Sequence, residues 1–458
     1  MKNKPAPDKL LPRSSSHATS YLALGLSAVA YAVLAYATPR TGFTQLVLLY
    51  AFVFAAYLYV SQQRLKLWHG LAAAILFRLV FLFSVPALSD DYVRFIWDGR
   101  LLAAGLSPYL HLPQYFLTPE APQVPGLTRE LYQQLNSPAY YSVYPPLSQA
   151  VFWLAVKLSP ASTLGSIVVM RLVLLLAETG SILLLRRMLR KMVLPEKYVL
   201  LYALNPLVIL ELTGNLHFEA LMIFFLLLAL YQLYYHRIVL SAVALGLAVG
   251  TKLLPLMFLP FLLRKLGPLP FAVYSLVVLL TLVLQFYPLM SPQVLLHIFD
   301  SINLYFQKFE FNASIYYLLR WLGFRFAGYN LIALLGPALS LVALAAILGM
   351  ATVKRLGSIR RLAGYMAAAL TVYLLLATTV HPWYLTTLLA LTAMSHFRFA
   401  VTWSGLAILT YAAYRTSSYR EDLALVTLEY FIVFLWLLVE LYLYRQRRRH
   451  ANLNEAAV

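Results

Sequence analysis

Apolar runs of roughly 20 residues, the length a helix needs to cross the hydrocarbon core of a bilayer, recur along nearly the whole chain. Candidate spans lie at 19–38, 43–62, 67–88, 163–185, 197–214, 218–235, 238–251, 253–263, 271–288, 327–350, 362–380, 384–397, 399–414 and 423–444. The runs at 238–251 and 253–263 are too short to cross alone. Together they predict a hairpin broken at "GTKLLP", with its non-helical backbone buried inside protein. The segment "YPPLSQAVFWLAVKL" (144–158) is also apolar but short. If it crossed, "RRMLRK" (186–191) would land on the outer side, so it reads as a helix lying in or dipping into the outer leaflet. The pattern predicts an all-α polytopic membrane protein, a bundle of about 12–14 transmembrane helices.

The polar breaks between these runs are mostly short. Two are long, at 89–162 and 289–326, and the first carries Pro-rich stretches and a surface helix near 128–135. With tails at 1–18 and 445–458, the whole chain of 458 residues reads as one transmembrane domain, with no soluble domain and no internal repeat. The first eighteen residues are basic and polar and lack the apolar core of a cleaved signal peptide, so they read as a cytoplasmic tail.

Composition agrees: the chain is 62% hydrophobic and 12% charged, where soluble domains are about 25% charged. Its net charge of +19 is concentrated in short loops, so it reports topology before any nucleic acid. Alternating the spans from a cytoplasmic N-terminus puts 23 of the 36 Lys and Arg inside, among them Arg64, Lys66, Arg186, Arg187, Lys354, Arg355, Arg398 and Arg445. Both termini then lie inside, and the opposite orientation would invert the bias. Of the 17 acidic residues, 11 fall outside or at outer helix ends, including Asp300 and Glu421. The topology rule says little about acids, so an acid-rich outer face calls for chemistry. Cysteine is absent, which excludes disulfides and thiolate chemistry. No Walker motif, dinucleotide glycine pattern or zinc spacing is present, so no metal and no nucleotide cofactor is expected.

The densest charge cluster is "SDDYVRFIWDGRLLAAGLSPY", from Ser89. In a helix over 90–104, Asp91, Arg94 and Asp98 share a face and Asp90 sits beside Arg94. One reading is a charged helix end with local ion pairs. The other is a carboxylate base at the membrane surface, with Trp97 offering a flat face to a sugar ring. A second group is "ELTGNLHFEALM" (211–222), where Glu211, Asn215, His217 and Glu219 crowd an outer turn. "HPWYL" supplies His381, Trp383 and Tyr384, either as an interfacial aromatic belt or as a phosphate contact. Lys252 lies in the broken hairpin, where a lysine at membrane depth is functional by default unless it snorkels. "KFEFNASIYYLLRW" (308–321) adds Arg320 on the outer side. Arg78 and Arg171 lie inside spans and must face the bundle interior, pairing with a buried acid such as Glu178.

Taken in order, "SDDYVRFIWDGRLLAAGLSPY", "YPPLSQ", "NPLVILELTGNLHFEALM", "GTKLLPL", "FNASIYYLLR" and "HPWYL" resemble bacterial integral-membrane glycosyltransferases of the GT-C superfamily. Within it the chain is most similar to polyprenyl-phosphate-mannose-dependent mannosyltransferases, over about residues 67–400. The resemblance implies transfer of a sugar, mannose, from a polyprenyl monophosphate carrier to an acceptor hydroxyl outside the cytoplasm, with inversion. It implies localisation to the bacterial inner membrane, with the site on the periplasmic side. The acceptor class, lipid, glycan or protein, is left open. The family's catalytic carboxylate maps to Asp91, four residues before Phe95, which stands where the family carries tyrosine. Gly214, His217 and Glu219 match the family's Gly-x-x-His-x-Asp run, and its late histidine near the donor phosphate maps to His381.

This assigns Asp91 as the base, with Asp90 as its partner or a hydroxyl contact. Arg94, Trp97, Asp98, Tyr144, Asn215, His217, Glu219, Lys252, Arg320, His381, Trp383 and Tyr384 are then candidates for substrate binding, with Arg415 as another possible phosphate cation. A phosphate monoester leaves without a general acid. Two rivals stand beside this reading. A transporter or flippase would use Arg78, Arg171, Glu178 and Lys252 along a pathway between repeats. A ligase or polymerase using a pyrophosphate-linked glycan would lean on outer arginines.

Overall fold

The computed structural model describes residues 17–297, 309–352, 356–416 and 418–456. The N-terminal tail through residue 16, Asp300, Lys354 and Arg355 lie outside the described residues, so the readings that rest on them have no structural counterpart here. Among the described residues the chain is helical, and the only strand-like contact is an isolated bridge between Phe311 and Thr379.

Seven helices among the described residues are long and apolar enough to cross a membrane: His17–Tyr36 (α1), Phe43–Gln62 (α2), Thr163–Lys191, Pro268–Leu289, Ile332–Ala351, Ile359–Leu376 and Leu423–Arg447. A further pair, Pro206–Gly214 and Glu219–Tyr234, passes only as one span bent by 114°. Leu67–Val80, Ile238–Thr251 and Phe399–Tyr414 are shorter apolar helices. The all-α polytopic architecture is as expected; among the described residues seven or eight spans meet the full length, and several of the remaining apolar runs fold as shorter or broken pieces. The run at 67–88 is helical only from Leu67 to Val80 (α3) before the chain turns away. The run at 197–214 breaks at Asn205–Pro206, where the Asn205 side chain accepts from the Leu207 amide at 2.9 Å. Proline cannot continue a helix from within, but it fits a first turn whose amide is unpaired anyway. The hairpin after Ile238 is broken as expected. Lys252 is extended, a short 3-10 turn follows over Leu254–Phe258, and the helix resumes at Leu259.

Lipid-facing and core helices separate by burial. Only 11% of the Pro268–Leu289 window and 17% of Leu423–Arg447 is buried within the protein, against 50% of Thr163–Lys191. The outer helices show Leu276, Leu279, Leu280 and Leu284 at their surfaces, a cost in water and none in hydrocarbon. The two basic residues inside the core are satisfied. Arg78 donates to Glu178 at 3.1 and 2.7 Å and to the carbonyls of Ala74 and Ala203. Arg171 meets no acid. It gathers the carbonyls of Leu82, Ser84, Thr213 and Gly214 at 2.6–3.0 Å, which ties the end of α3 to the bend at 214.

The first long break begins with a helix over Asp91–Ala103 (α4), which lies along the helix Pro146–Leu158 (α5). Gly99 makes this contact possible, because a Cβ there would sit 2.5 Å from the carbonyl oxygen of Phe152. The expected surface helix is present as Arg129–Gln133.

Candidate functional site

At one end of the bundle, six parts of the chain meet: the loop between α1 and α2, the start of α4, the bend at 209–219, the break at Lys252, the loop after Leu376, and the turn ending at Tyr414. Ile209–Gly214 forms a π-helical turn, and Leu216 adopts a left-handed φ of 62° that a γ-branched residue rarely takes. π turns and strained non-glycine residues persist where surrounding structure enforces them, and they cluster at functional sites.

Asp90 and Asp91 occupy different environments. Asp90 pairs with Arg40 at 2.5 Å. The expected Asp90–Arg94 pair does not form, because the Arg94 side chain points the other way along α4. The Asp91 carboxylate is half-buried. It accepts from the Asn136 amide, an uncharged donor, at 2.8 Å. Burial first, and then the charge of Asp91, hold the Tyr144 hydroxyl well above its usual range, so it stays protonated.

Arg94 and Asp98 form a separate, buried network. Arg94 donates to Asp98 at 2.8 Å and to the carbonyls of Ser137 and Tyr140 at 3.2 and 3.0 Å. Asp98 also accepts from Ser142 at 2.5 Å and Gln149 at 2.9 Å. This clamp fastens the loop before α5 onto α4. Trp97 is fully buried, 6.4 Å from the Phe116 ring and 6.1 Å from the Tyr132 ring. Its face is covered by protein, so the structure gives no support to sugar stacking on Trp97 or substrate contact at Asp98. Phe95 is buried too, stacked on Phe152 at 4.5 Å and edge-on to Tyr144 at 4.9 Å, a pocket with no use for a hydroxyl.

A column of rings joins the later motifs. His217 stacks on Trp383 at 3.7 Å, Trp383 on His381 at 4.3 Å, and His381 on Phe311 at 4.7 Å. The motifs around 217 and 381 thus meet face to face. Glu211 holds the base of the column, accepting from Tyr411 at 2.7 Å and Asn215 at 3.1 Å, with His217 Nε2 3.3 Å away. Glu219 is buried and pairs with Lys252, whose ammonium lies 4.7 Å from the centre of the Tyr384 ring. Lys252 keeps about a third of its side chain exposed (34%), so it can reach a ligand.

His381 is not a cation here. Burial above all, and then the positive charges of Lys252 and Arg40, lower it to about 3. It offers a neutral imidazole and at most one N–H. The outer arginines expected to meet phosphate are engaged elsewhere. Arg320 pairs with Glu310 and lies over Tyr317 at 4.1 Å, in a cluster that also holds Tyr316 and Asn330. Arg415 sits 3.4 Å from Asp422 and covers Phe43.

Three residues of the site were absent from the sequence reading: Arg40, Asn136 and Tyr414. Arg40 lies 3.5 Å over the Tyr414 ring while it pairs with Asp90. A lone arginine in the short loop "TPRTG", on the side where cations are scarce, is the signal that could have marked it. Among the described residues no group of three or more His, Asp and Glu could hold a metal ion. Arg78, Glu178 and Arg171, the charges a transport pathway would use, are fully buried and fully partnered.

Compared with protein-family models, residues 10–266 match the alpha-(1->6)-mannopyranosyltransferase N-terminal domain. The matched stretch contains Arg40, Asp90, Asp91, the bend at 209–219 and Lys252, and it ends before His381. No curated protein matches the chain.

Proposed function

The chain belongs to the alpha-(1->6)-mannopyranosyltransferase family, and on that premise we propose that it transfers mannose from a polyprenyl-phosphate carrier to an acceptor hydroxyl, with Asp91 as the base, by one inverting displacement. As a mannosyltransferase with seven apolar spans it works in a membrane on a sugar donor and a glycan acceptor. The donor class, the inversion, the base and the outer side of the membrane belong to the proposal.

One observation carries it. Two adjacent carboxylates at the start of α4 differ in partner: Asp90 is neutralised by Arg40, whereas Asp91 is held by a neutral donor and partly open. A base needs a free lone pair within reach of the acceptor proton. Asn136 fixes the carboxylate's orientation without adding a countercharge that would weaken it. The reaction then balances simply. The acceptor oxygen bonds to the anomeric carbon as its proton passes to Asp91. The bond from that carbon to the phosphate oxygen breaks, and its electron pair leaves with the phosphate. Lys252 sits where it can meet the charge that grows on the leaving group, and His381 can add a single N–H. A lipid-linked donor also accounts for a site at a bundle end with no soluble domain, since its tail can stay in the bilayer.

The test is transfer of radiolabelled mannose by purified full-length protein in detergent, with an oligomannoside acceptor. Label should pass from polyprenyl-phosphate-mannose. Transfer from a nucleotide-linked mannose alone would overturn the donor assignment.

A further inference from the structure

The loop between the first two helices has no role in the mechanism so far, yet it sends one arginine into the site. We infer that Arg40 is a ligand of the donor's phosphate, delivered by the α1–α2 hairpin and held in place by Asp90 and Tyr414. The inference rests on the polyprenyl-phosphate reading above.

The hydrogen-bond inventory of Arg40 supports it. One Nη donates to Asp90 at 2.5 Å, and the guanidinium plane lies on the Tyr414 ring at 3.5 Å. The Nε is buried and has no acceptor. A buried guanidinium N–H without a partner is an unfavourable arrangement, and native proteins leave few such groups unless a ligand uses them. An arginine fixed on an aromatic face, with one edge taken by a carboxylate and another N–H unused, is prepared for a second anion. That anion's position is narrowed by a neighbour. The Tyr414 ring under Arg40 lies 6.4 Å from the Phe311 ring, which stacks on His381 at 4.7 Å. His217 Nε2 is a second buried nitrogen with no hydrogen-bond acceptor in good geometry. Lys252 lies over Tyr384, whose ring meets His381 edge-on at 5.4 Å, so Arg40, Lys252 and the two histidines border one aromatic cluster, whereas Arg320 and Arg415 pair with Glu310 and Asp422. The donor's phosphate is a diester with one negative charge and becomes a monoester with close to two as the sugar leaves, which suits such a region better than a neutral sugar.

Asp90 then has a positioning role: it orients Arg40 and leaves Asp91 as the unpaired carboxylate.

The experiment uses full-length protein in detergent and polyprenyl phosphate without sugar as the probe, with binding read by tryptophan fluorescence and donor dependence by mannose transfer. Arg40→Gln should weaken probe binding roughly ten- to a hundredfold, the worth of one charge-assisted contact. It should raise the donor KM by a similar factor, with a smaller change in kcat. Arg40→Lys should restore part of the binding, because it keeps the charge and loses the fork. Asp90→Asn should keep most of it, because the guanidinium stays on Tyr414. If Arg40→Gln binds probe as wild type does while its thermal stability falls, Arg40 is a structural tie and the inference is overturned. If wild-type protein fails to bind polyprenyl phosphate at all, the donor reading falls and takes the inference with it.

Discussion

Removing the Asp98 carboxylate should unfasten the loop before α5 and destabilise the protein without touching the chemistry directly. Asp98 is fully buried and accepts from Arg94, Ser142 and Gln149 at 2.5–2.9 Å. In Asp98→Ala, Arg94 becomes a buried cation with only the carbonyls of Ser137 and Tyr140, and both Ser142 and Gln149 lose an acceptor. Breaking one side of a buried ion pair costs about 3–5 kcal/mol. The two carbonyls that still receive Arg94 favour the lower end of that range. Asp98→Asn should cost less, about 1–3 kcal/mol. The amide keeps the shape and still accepts from Arg94, and once the Gln149 amide turns over it can donate to Gln149 Oε1, which is buried without a partner. The assay is thermal unfolding in detergent, followed by tryptophan fluorescence, with Trp97 one residue away as a reporter. The order wild type, Asp98→Asn, Asp98→Ala should appear in the unfolding temperature. An Asp98→Ala protein that unfolds at the wild-type temperature would refute the clamp. An Asp98→Asn protein of wild-type stability that has lost transfer would return Asp98 to the substrate site.

Lys252→Met should weaken donor use and also destabilise, because it leaves the buried Glu219 without its cation; adding Glu219→Gln should restore stability but not donor dependence, and restoration of both would remove Lys252 from the site. The His381 imidazole has a lowered folded value of about 3, against an ordinary value near ~6.5. The unfolded chain therefore binds more protons between those values, so stability holds above about pH 6.5 and falls as pH drops toward 3. His381→Gln should lose less unfolding temperature between pH 7 and pH 5 than wild type; an equal loss would mean that His381 does not cause the acid sensitivity. For topology, a cysteine at Ser107 should react with an impermeant thiol reagent in intact cells and one at Ser358 should not; the reverse pattern would invert the orientation.

What the sequence disclosed follows from the range of the interactions involved. Helices α1 and α2 are continuous apolar runs, and their ends fell within two residues of those expected from hydropathy. The break at Lys252 was legible because the two flanking runs are too short. The pieces between Glu196 and Gly214 were not, because the π turn is held by Arg171 from another helix. The Arg94–Asp98 spacing was visible as an i,i+4 pair, but its meaning depended on Ser142 and Gln149, 44 and 51 residues further on. Those partners turn an apparent surface pair into a buried clamp and carry Trp97 into the core with it. Arg40 stayed hidden for a similar reason, since its partner Asp90 is 50 residues away. The meeting of His217, Trp383 and His381 could be suspected from their matching depth at outer helix ends, but only the fold sets their order in the stack.

The central claim is that Asp91 removes the acceptor proton, and the direct measurement is mannose transfer by Asp91→Asn beside its affinity for polyprenyl phosphate. The amide keeps its contact with Asn136 and cannot take up a proton, so an acceptor hydroxyl with a pKa near ~15 must attack unaided. Transfer should fall by ~10²–10⁴-fold, the usual worth of general base catalysis, while polyprenyl phosphate binds and the protein unfolds as wild type does. Asp90→Asn should lose far less. Near-full transfer by Asp91→Asn, or a dead Asp90→Asn beside an active Asp91→Asn, would contradict the account.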